Sequence, residues 1–376
     1  MTANDCAIGL DYDGLHIAVH CVPGHHLRWL AEFLAPAFAV GQWDRSDWCV
    51  TVHEDEARYD AIARRGPQPG AAPVACFALD KDWVCLPRWR SADGVRTVVD
   101  ESACVAYEVD TLDRCVALVT PPGKLTVRTA LMRVVRELAM HHARERGGLL
   151  LHAAALAVGS RGLILAGEKN AGKTTLLVNL LRHTAARYVS NDRVLVSLAT
   201  SPPSLHGMPT IVSVRPGTLG FFPQLEEALQ ASGFHYRLTL QEAAGSETAR
   251  PSSNDKRYGL SPAGFCALLG VERLGACQAS AVVFPQIADD ERTIRVRQLD
   301  DAEAAERLTR AVFGVAAAHQ MEQLLGETGE LRVGDAAVTR SIVQLVAAVP
   351  CFECRLGRRA YDSASEAAGI AERLVA

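Results

Sequence analysis

Apolar and polar positions alternate through the first third of the chain. "GLHIAVHCV", "WCVTVHE" and "RTVVDESACVAYEVD" carry the two-residue period of half-buried strands and are separated by turn residues. "HHLRWLAEFL" is the stretch of that region with convincing helical spacing. The pattern then changes. In "TVRTALMRVVRELAMHHARERGG", Val127, Leu131, Val134, Val135 and Leu138 recur at helical spacing, and Gly147 and Gly148 supply a stop. From Leu149 the text runs strand, turn, strand, loop, helix, strand: "LLLHAAALAV", the short "VGSRG" link, "RGLILAGEKNAGKTT", then "RYVSNDRVLVSL". A link that short predicts a hairpin, which makes the sheet mixed rather than simply doubly wound. Residues 241–257, "QEAAGSETARPSSNDKR", are polar and aperiodic and read as a long exposed loop of the kind that forms lids. Further on, "AVVFPQI" predicts a buried strand, and "DDAEAAERLTRAVFG" and "RSIVQLVAAV" predict helices. "DSASEAAGIAERLVA" predicts a last helix opened by a Ser363-x-x-Glu366 capping box.

At 376 residues the chain exceeds the size at which one core usually keeps growing, which predicts two domains. We expect an N-terminal α/β module of unreadable role over 1–122, a connecting helix over 123–148 and a P-loop domain over 149–376. All five tryptophans fall in the first ninety residues, which sets the first module apart. The net charge of -4, with both signs interspersed, gives no basic stripe and argues against nucleic acid as a partner. The absence of a secretory pattern at "MTANDCAIGL" and of any apolar run of about 18 to 20 residues predicts no membrane association and a cytoplasmic protein. Eleven cysteines, an odd number, then read as reduced thiols. "CFEC" has C-x-x-C spacing but no second ligand pair, so a plain strand is expected there, with Cys351 and Cys354 on opposite faces.

The chemistry concentrates in "LILAGEKNAGKTTLLVNLL". Gly167, Gly172, Lys173 and Thr174 fit G-x-x-x-x-G-K-[ST], with a strand before and a helix after, as a phosphate-binding loop requires. Backbone N–H groups of Glu168, Lys169, Asn170, Ala171, Gly172, Lys173 and Thr174 are expected to curl round an anion at a helix N-terminus, with Thr175 next to them. Lys173, solvated without ligand, is expected to reach the outer phosphates of ATP, and the Thr174 hydroxyl to join Mg²⁺.

Together, "LLLHAAALAV…GLILAGEKNAGKTTLLVNLL…YVSNDRVLV" resembles the catalytic domain of HPr kinase/phosphorylase and its relatives, including HPr-kinase-like proteins found with peptide-modifying enzymes. The similarity covers roughly residues 149 to 300 and is strongest over the first fifty of them; "LHGMPTIVSVR" and "KRYGLSP" are weaker echoes. The resemblance, which does not extend to the smaller N-terminal α/β module, implies an α/β fold with an α+β mixed sheet, an HPr-kinase/PEP-carboxykinase-like catalytic domain. It also implies ATP- and Mg-dependent phosphorylation of a serine-type hydroxyl on a protein, peptide or small molecule. Relatives form rings, so a homo-oligomer is allowed.

In that family a His-bearing strand and an acidic pair flank the P-loop. The matching positions here are His152 and Asn191-Asp192, a departure at the first acidic position. An amide accepts no proton from a hydroxyl, so Asp192 is left as the base or the metal ligand, and can hardly be both without help. His152 would orient it. Arg215, Lys256 and Arg257 are candidate phosphate clamps, while His25-His26 and His141-His142 read as surface residues. Two functions follow: an ATP-dependent kinase, or a non-catalytic or ATP-hydrolysing regulatory module.

Overall fold

A computed structural model describes residues 6–22, 24–42, 45–66, 74–77, 83–91, 93–168, 170–231, 258–288, 294–313, 324, 336–357 and 363–375. The expected 241–257 loop, Lys169, Lys256 and Arg257 lie outside the described residues. The chain forms two compact units, the first running to His142 and the second beginning at Ala143.

The first unit is built on β1 (Ala7–Tyr12), β2 (Leu15–Val22), β3 (Ala39–Gly41), β4 (Trp48–Glu54), β5 (Val74–Phe77), β6 (Trp83–Leu86), β7 (Arg88–Arg90), β8 (Arg96–Asp100), β9 (Val105–Asp110) and β10 (Cys115–Thr120). Eight of these form one sheet in the order β3-β1-β2-β4-β10-β9-β8-β7. β4 runs parallel to both β2 and β10, and the remaining pairs are antiparallel, so the sheet is mixed. Asp13 and Gly14 close the β1–β2 hairpin with φ of 51° and 82°, the doubly left-handed turn that an Asp-Gly pair favours.

Helix α1 (His25–Leu34) coincides with the expected segment and buries Leu27, Leu30, Phe33 and Leu34. Helix α2 (Glu56–Arg65) was not anticipated, because only Tyr59 and Ile62 are buried on it; Asp55 caps it by accepting from the Arg58 N–H. Helix α3 (Thr126–Glu145) follows the predicted periodicity.

One expectation fails in this unit. His26 is not a surface residue: it is fully buried, with Nε2 3.1 Å from Glu54 Oε1 and Nδ1 accepting from Arg128 Nε at 3.3 Å. The partners come from β4 and α3, more than twenty residues away, out of reach of any local spacing rule.

The second unit carries β11 (Leu149–Leu151), β12 (Ala153–Val158), β13 (Arg161–Ala166), β14 (Ala186–Ser190), β15 (Arg193–Ser197), β16 (Ser204–Met208), β17 (Val212–Val214), β18 (Tyr258–Leu260), β19 (Ala276–Ala288), β20 (Ile294–Gln298) and β21 (Cys351–Gly357). Its main sheet runs β11-β15-β16-β19-β13-β12-β14, with β21 also against β19 and β20 against β21. β12 and β13 form the predicted hairpin around Gly159-Ser160. β13, β19 and β21 are parallel, so this sheet is mixed as well. β17 and β18 pair with each other and bring together the two weaker segments of the resemblance.

Alternate side chains of the sheet enter two cores. One holds helix α4 (Lys173–His183) and the helices Pro262–Leu269 and Ala364–Val375; the other holds the helices Asp301–Ala311 and Ala336–Ala348. Cys354 joins the first core and Cys351 the second, so the C-x-x-C pair straddles the sheet. Burial pushes both thiols up to about 12. Ser363 Oγ accepts from the Glu366 N–H at 3.4 Å, as a capping box requires.

The run "LLLHAAALAV" is not one strand. It breaks at His152: β11 pairs with β15, whereas β12 pairs with β13 and β14. The His152 N–H leaves the ladder and donates to the Ala311 carbonyl, at the end of the helix Asp301–Ala311, over 2.7 Å. The chain crosses similarly at Asn191-Asp192, since β14 belongs with β12 and β15 with β11 and β16. Both crossings bring the candidate residues to one place.

Candidate functional site

β13 ends at Ala166 and α4 begins at Lys173, and the loop between them is shaped by left-handed backbone: φ is 145° at Gly167, 70° at Asn170 and 105° at Gly172. Gly172 has a second reason to lack a side chain, because a Cβ there would come 3.2 Å from Ile287 Cγ1. Asn170 tolerates its conformation as asparagine often does. Its Oδ1 accepts from Arg215 Nη1 at 2.7 Å, so Arg215 stands beside the loop. Thr174 is half-buried. Thr175 is buried and turned to Thr218, with the two hydroxyl oxygens 3.4 Å apart. Glu168 is exposed and 3.6 Å from Arg310, a surface pair of little energetic weight.

Lys173 corrects a second expectation. It is only 8% exposed and bends back onto its own loop, Nζ donating to the Gly167 carbonyl at 2.6 Å and the Glu168 carbonyl at 3.0 Å. An ammonium without ligand finds in those carbonyls the acceptors that burial would otherwise deny it. Burial lowers its pKa to about 8, Asp192 and Glu168 opposing the shift and Arg215 adding to it.

The sign is then fixed. The unfolded lysine holds its proton up to its ordinary value of 10.5, while the folded one releases it from about 8, so this group makes the ligand-free protein more stable as pH rises from about 8 to 10.5. A polyphosphate beside Nζ would restore the charge. If ATP is the ligand, its binding should therefore take up close to one proton at about pH 9 and almost none at pH 6.5, and Lys173→Arg should abolish the uptake. Calorimetry in buffers of different ionisation enthalpy measures it; equal uptake at both pH values would contradict the role given to Lys173.

Asp192 sits at the crossing between β14 and β15 with its side chain 40% exposed. Oδ1 is 3.2 Å from His152 Nε2 and Oδ2 is 3.7 Å from Arg193 Nε. Burial raises its pKa, but the hydrogen bond and charge of His152, with Arg193 and Lys173, outweigh it and hold the carboxyl well below the usual carboxylate range. Phe313 lies under both flanking groups, its ring 5.6 Å from the His152 ring and 4.9 Å from the Arg193 guanidinium carbon. Arg193 was missed from sequence; its only signal was a cation directly after Asp192.

Asn191 faces elsewhere. Its Oδ1 accepts from the Tyr188 hydroxyl at 2.8 Å and the Thr210 hydroxyl at 3.2 Å, and its Nδ2 donates to the Ile211 carbonyl at 3.5 Å. The amide ties β14 to the segment after β16, a use that needs a donor and an acceptor on one side chain.

Lys173 and Arg215 thus stand at the glycine loop, and His152 and Arg193 at Asp192 on the crossing between β14 and β15. Lys169 and Lys256 lie outside the described residues. Among the described residues no group of three or more His, Cys, Asp or Glu side chains is arranged to hold a metal ion. No described helix is long and apolar enough to cross a membrane. A scan against protein-family models and a search of curated proteins each found no match to this chain.

Proposed function

We propose that the protein is an ATP-dependent phosphotransferase of the HPr-kinase type, passing the γ-phosphoryl group to a serine-type hydroxyl on a protein, peptide or small-molecule acceptor. The observation that carries this reading is a loop of left-handed Gly167, Asn170 and Gly172 that seats Lys173, together with an Asp192 carboxylate held between His152 and Arg193. Phosphoryl transfer is mostly positioning and charge stabilisation, and these groups supply both. Lys173 turns from the Gly167 and Glu168 carbonyls to the β- and γ-phosphates. The ionised Asp192 takes the acceptor's proton as the hydroxyl oxygen bonds to phosphorus, and ADP leaves with the electrons of the broken bond. His152 and Arg193, one on each carboxylate oxygen, keep Asp192 oriented and anionic. Arg215, anchored on Asn170, is placed to add a cation to the phosphates.

Magnesium fits this donor set as an ion carried by the nucleotide, since Mg²⁺ is commonly held by one or two protein oxygens plus phosphates rather than by a full protein cage. Thr174 and Asp192 would hold it, and when bound it offsets charge on the phosphate oxygens.

A second reading, a regulatory module that binds or hydrolyses ATP, is favoured by Asn191, whose amide is committed to Tyr188 and Thr210 where the relatives hold an acid. Incubation with γ-labelled ATP and extract from the host separates the two. Label on a hydroxyl acceptor is expected; ATP binding with label released only as inorganic phosphate, or not at all, would favour the module.

A further inference from the structure

Among the described cysteines one is exposed, Cys115, and it opens β10. Directly across the ladder stands Cys49, the second residue of β4, which is partly exposed. Among the described strands this is the only register that sets two cysteines opposite each other. Partners in a ladder present their side chains on one face of the sheet. β4 buries Val50 and Val52, so Cys49, between Trp48 and Val50, points to the opposite and more open face. The Cys115 thiol donates to the Asp113 carbonyl at 3.4 Å, a weak surface bond that is readily given up.

The two positions meet the geometric needs of a disulfide. Neighbouring strands run ~4.8 Å apart, inside the Cα separation of about 4.4–6.8 Å that such a bond spans. Burial raises the Cys49 thiol above its ordinary value, and Cys115 adds to the shift by charge and a hydrogen bond, which puts the two sulfurs in mutual reach. Both residues lie at strand ends, where a small backbone adjustment leaves the rest of the ladder intact. We propose that Cys49 and Cys115 are a redox site, closed to a reversible disulfide by exchange with a low-molecular-weight disulfide of the glutathione type. The exposed Cys115 thiolate attacks one sulfur of that disulfide, whose S–S bond breaks as one small thiolate leaves. The Cys49 thiolate then attacks Cys115 Sγ and the second small thiolate leaves. Two protein thiols are oxidised, one small disulfide is reduced to two thiols, and these carry away the two protons. Capping of Cys115 removes the charge that opposes ionisation of Cys49, so the second step follows the first. The bond fastens β4 to β10, a parallel pair that no tight turn can join. It closes a loop of about 65 residues, long enough for a cross-link to restrict the unfolded chain strongly. A disulfide this exposed belongs to the labile kind that serves regulation.

The test incubates the reduced native protein with oxidised glutathione, blocks the remaining thiols, and maps peptides by mass spectrometry without reductant. A peptide pair joined through Cys49 and Cys115, with no glutathione kept on Cys115, is expected, and excess reduced glutathione should reverse it. Cys49→Ser should stop at one glutathione on Cys115, and Cys115→Ser should form no link. Because all five tryptophans lie in the first ninety residues, their fluorescence follows unfolding of the first unit. Its urea midpoint should rise when the native protein is oxidised, fall back on reduction, and stay fixed in Cys115→Ser. A lasting glutathione adduct on Cys115 of the native protein, a link from Cys49 to another cysteine, or no link at all would overturn the site. A Cys49–Cys115 link that leaves the midpoint unmoved would overturn its action as a clamp between the strands.

Discussion

Asp192→Asn is expected to lower phosphoryl transfer by about 10²- to 10⁴-fold, the usual scale for a positioned acid or base, with ATP affinity changed far less. The substitution keeps the shape of the side chain and removes its ability to accept a proton from the attacking hydroxyl. The surroundings magnify the effect. His152 and Arg193 flank the carboxylate 3.2 and 3.7 Å away, and an amide between them offers them one acceptor oxygen instead of a delocalised anion. Because those neighbours hold the carboxyl well below its ordinary range, transfer by the native protein should persist into mildly acid solution, where an unperturbed carboxylate begins to protonate. A transfer assay gives the rate, or slow ATP turnover to water where no acceptor is in hand, and calorimetry gives the affinity. Full activity in Asp192→Asn would show that this aspartate is neither base nor essential metal ligand and would move the role to His152.

Lys173→Ala is expected to weaken ATP binding by on the order of 10²-fold, since a charge-assisted contact to phosphate is worth roughly 1.5–3 kcal/mol. Its seat adds a second effect. Without Nζ, the Gly167 and Glu168 carbonyls lose the donor that holds them in the ligand-free loop, so the loop should loosen even before nucleotide is added. Hydrogen exchange at the loop amides reports the loosening, and a cooperative urea transition confirms that the domain still folds. An unchanged ATP affinity in a folded variant would remove the P-loop assignment.

Local chemistry made much of this legible. The Asp13-Gly14 turn, the two-residue link between β12 and β13, the span of α1 and the strand–loop–helix around Lys173 each follow from a few adjacent residues whose backbone or periodicity admits little else. Two of the misreadings share one cause, which is pairing across the fold. A continuous apolar run such as "LLLHAAALAV" contains no punctuation, and its break at His152 arises because Leu149–Leu151 and Ala153–Val158 find different partner strands. His26 reads as solvated until Glu54 and Arg128 arrive from distant elements. Lys173 reads as solvated because lysines usually are, and its burial depends on two carbonyls that only the closed loop presents. Helix α2 escaped notice for the opposite reason, since a helix that buries two side chains leaves almost no apolar stripe to detect.

The left-handed residues of the P-loop have a thermodynamic consequence. Gly167, Asn170 and Gly172 hold left-handed backbone, and the Arg215 bond to the Asn170 side chain helps keep the loop curled. The ordering entropy of the cradle is thus spent during folding of the second unit rather than at the moment of association. A loop ordered during folding would, under the nucleotide-binding proposal, leave less conformational search to complete at association. If the loop takes a polyphosphate as proposed, its recognition is to that extent a property of the protein's folding.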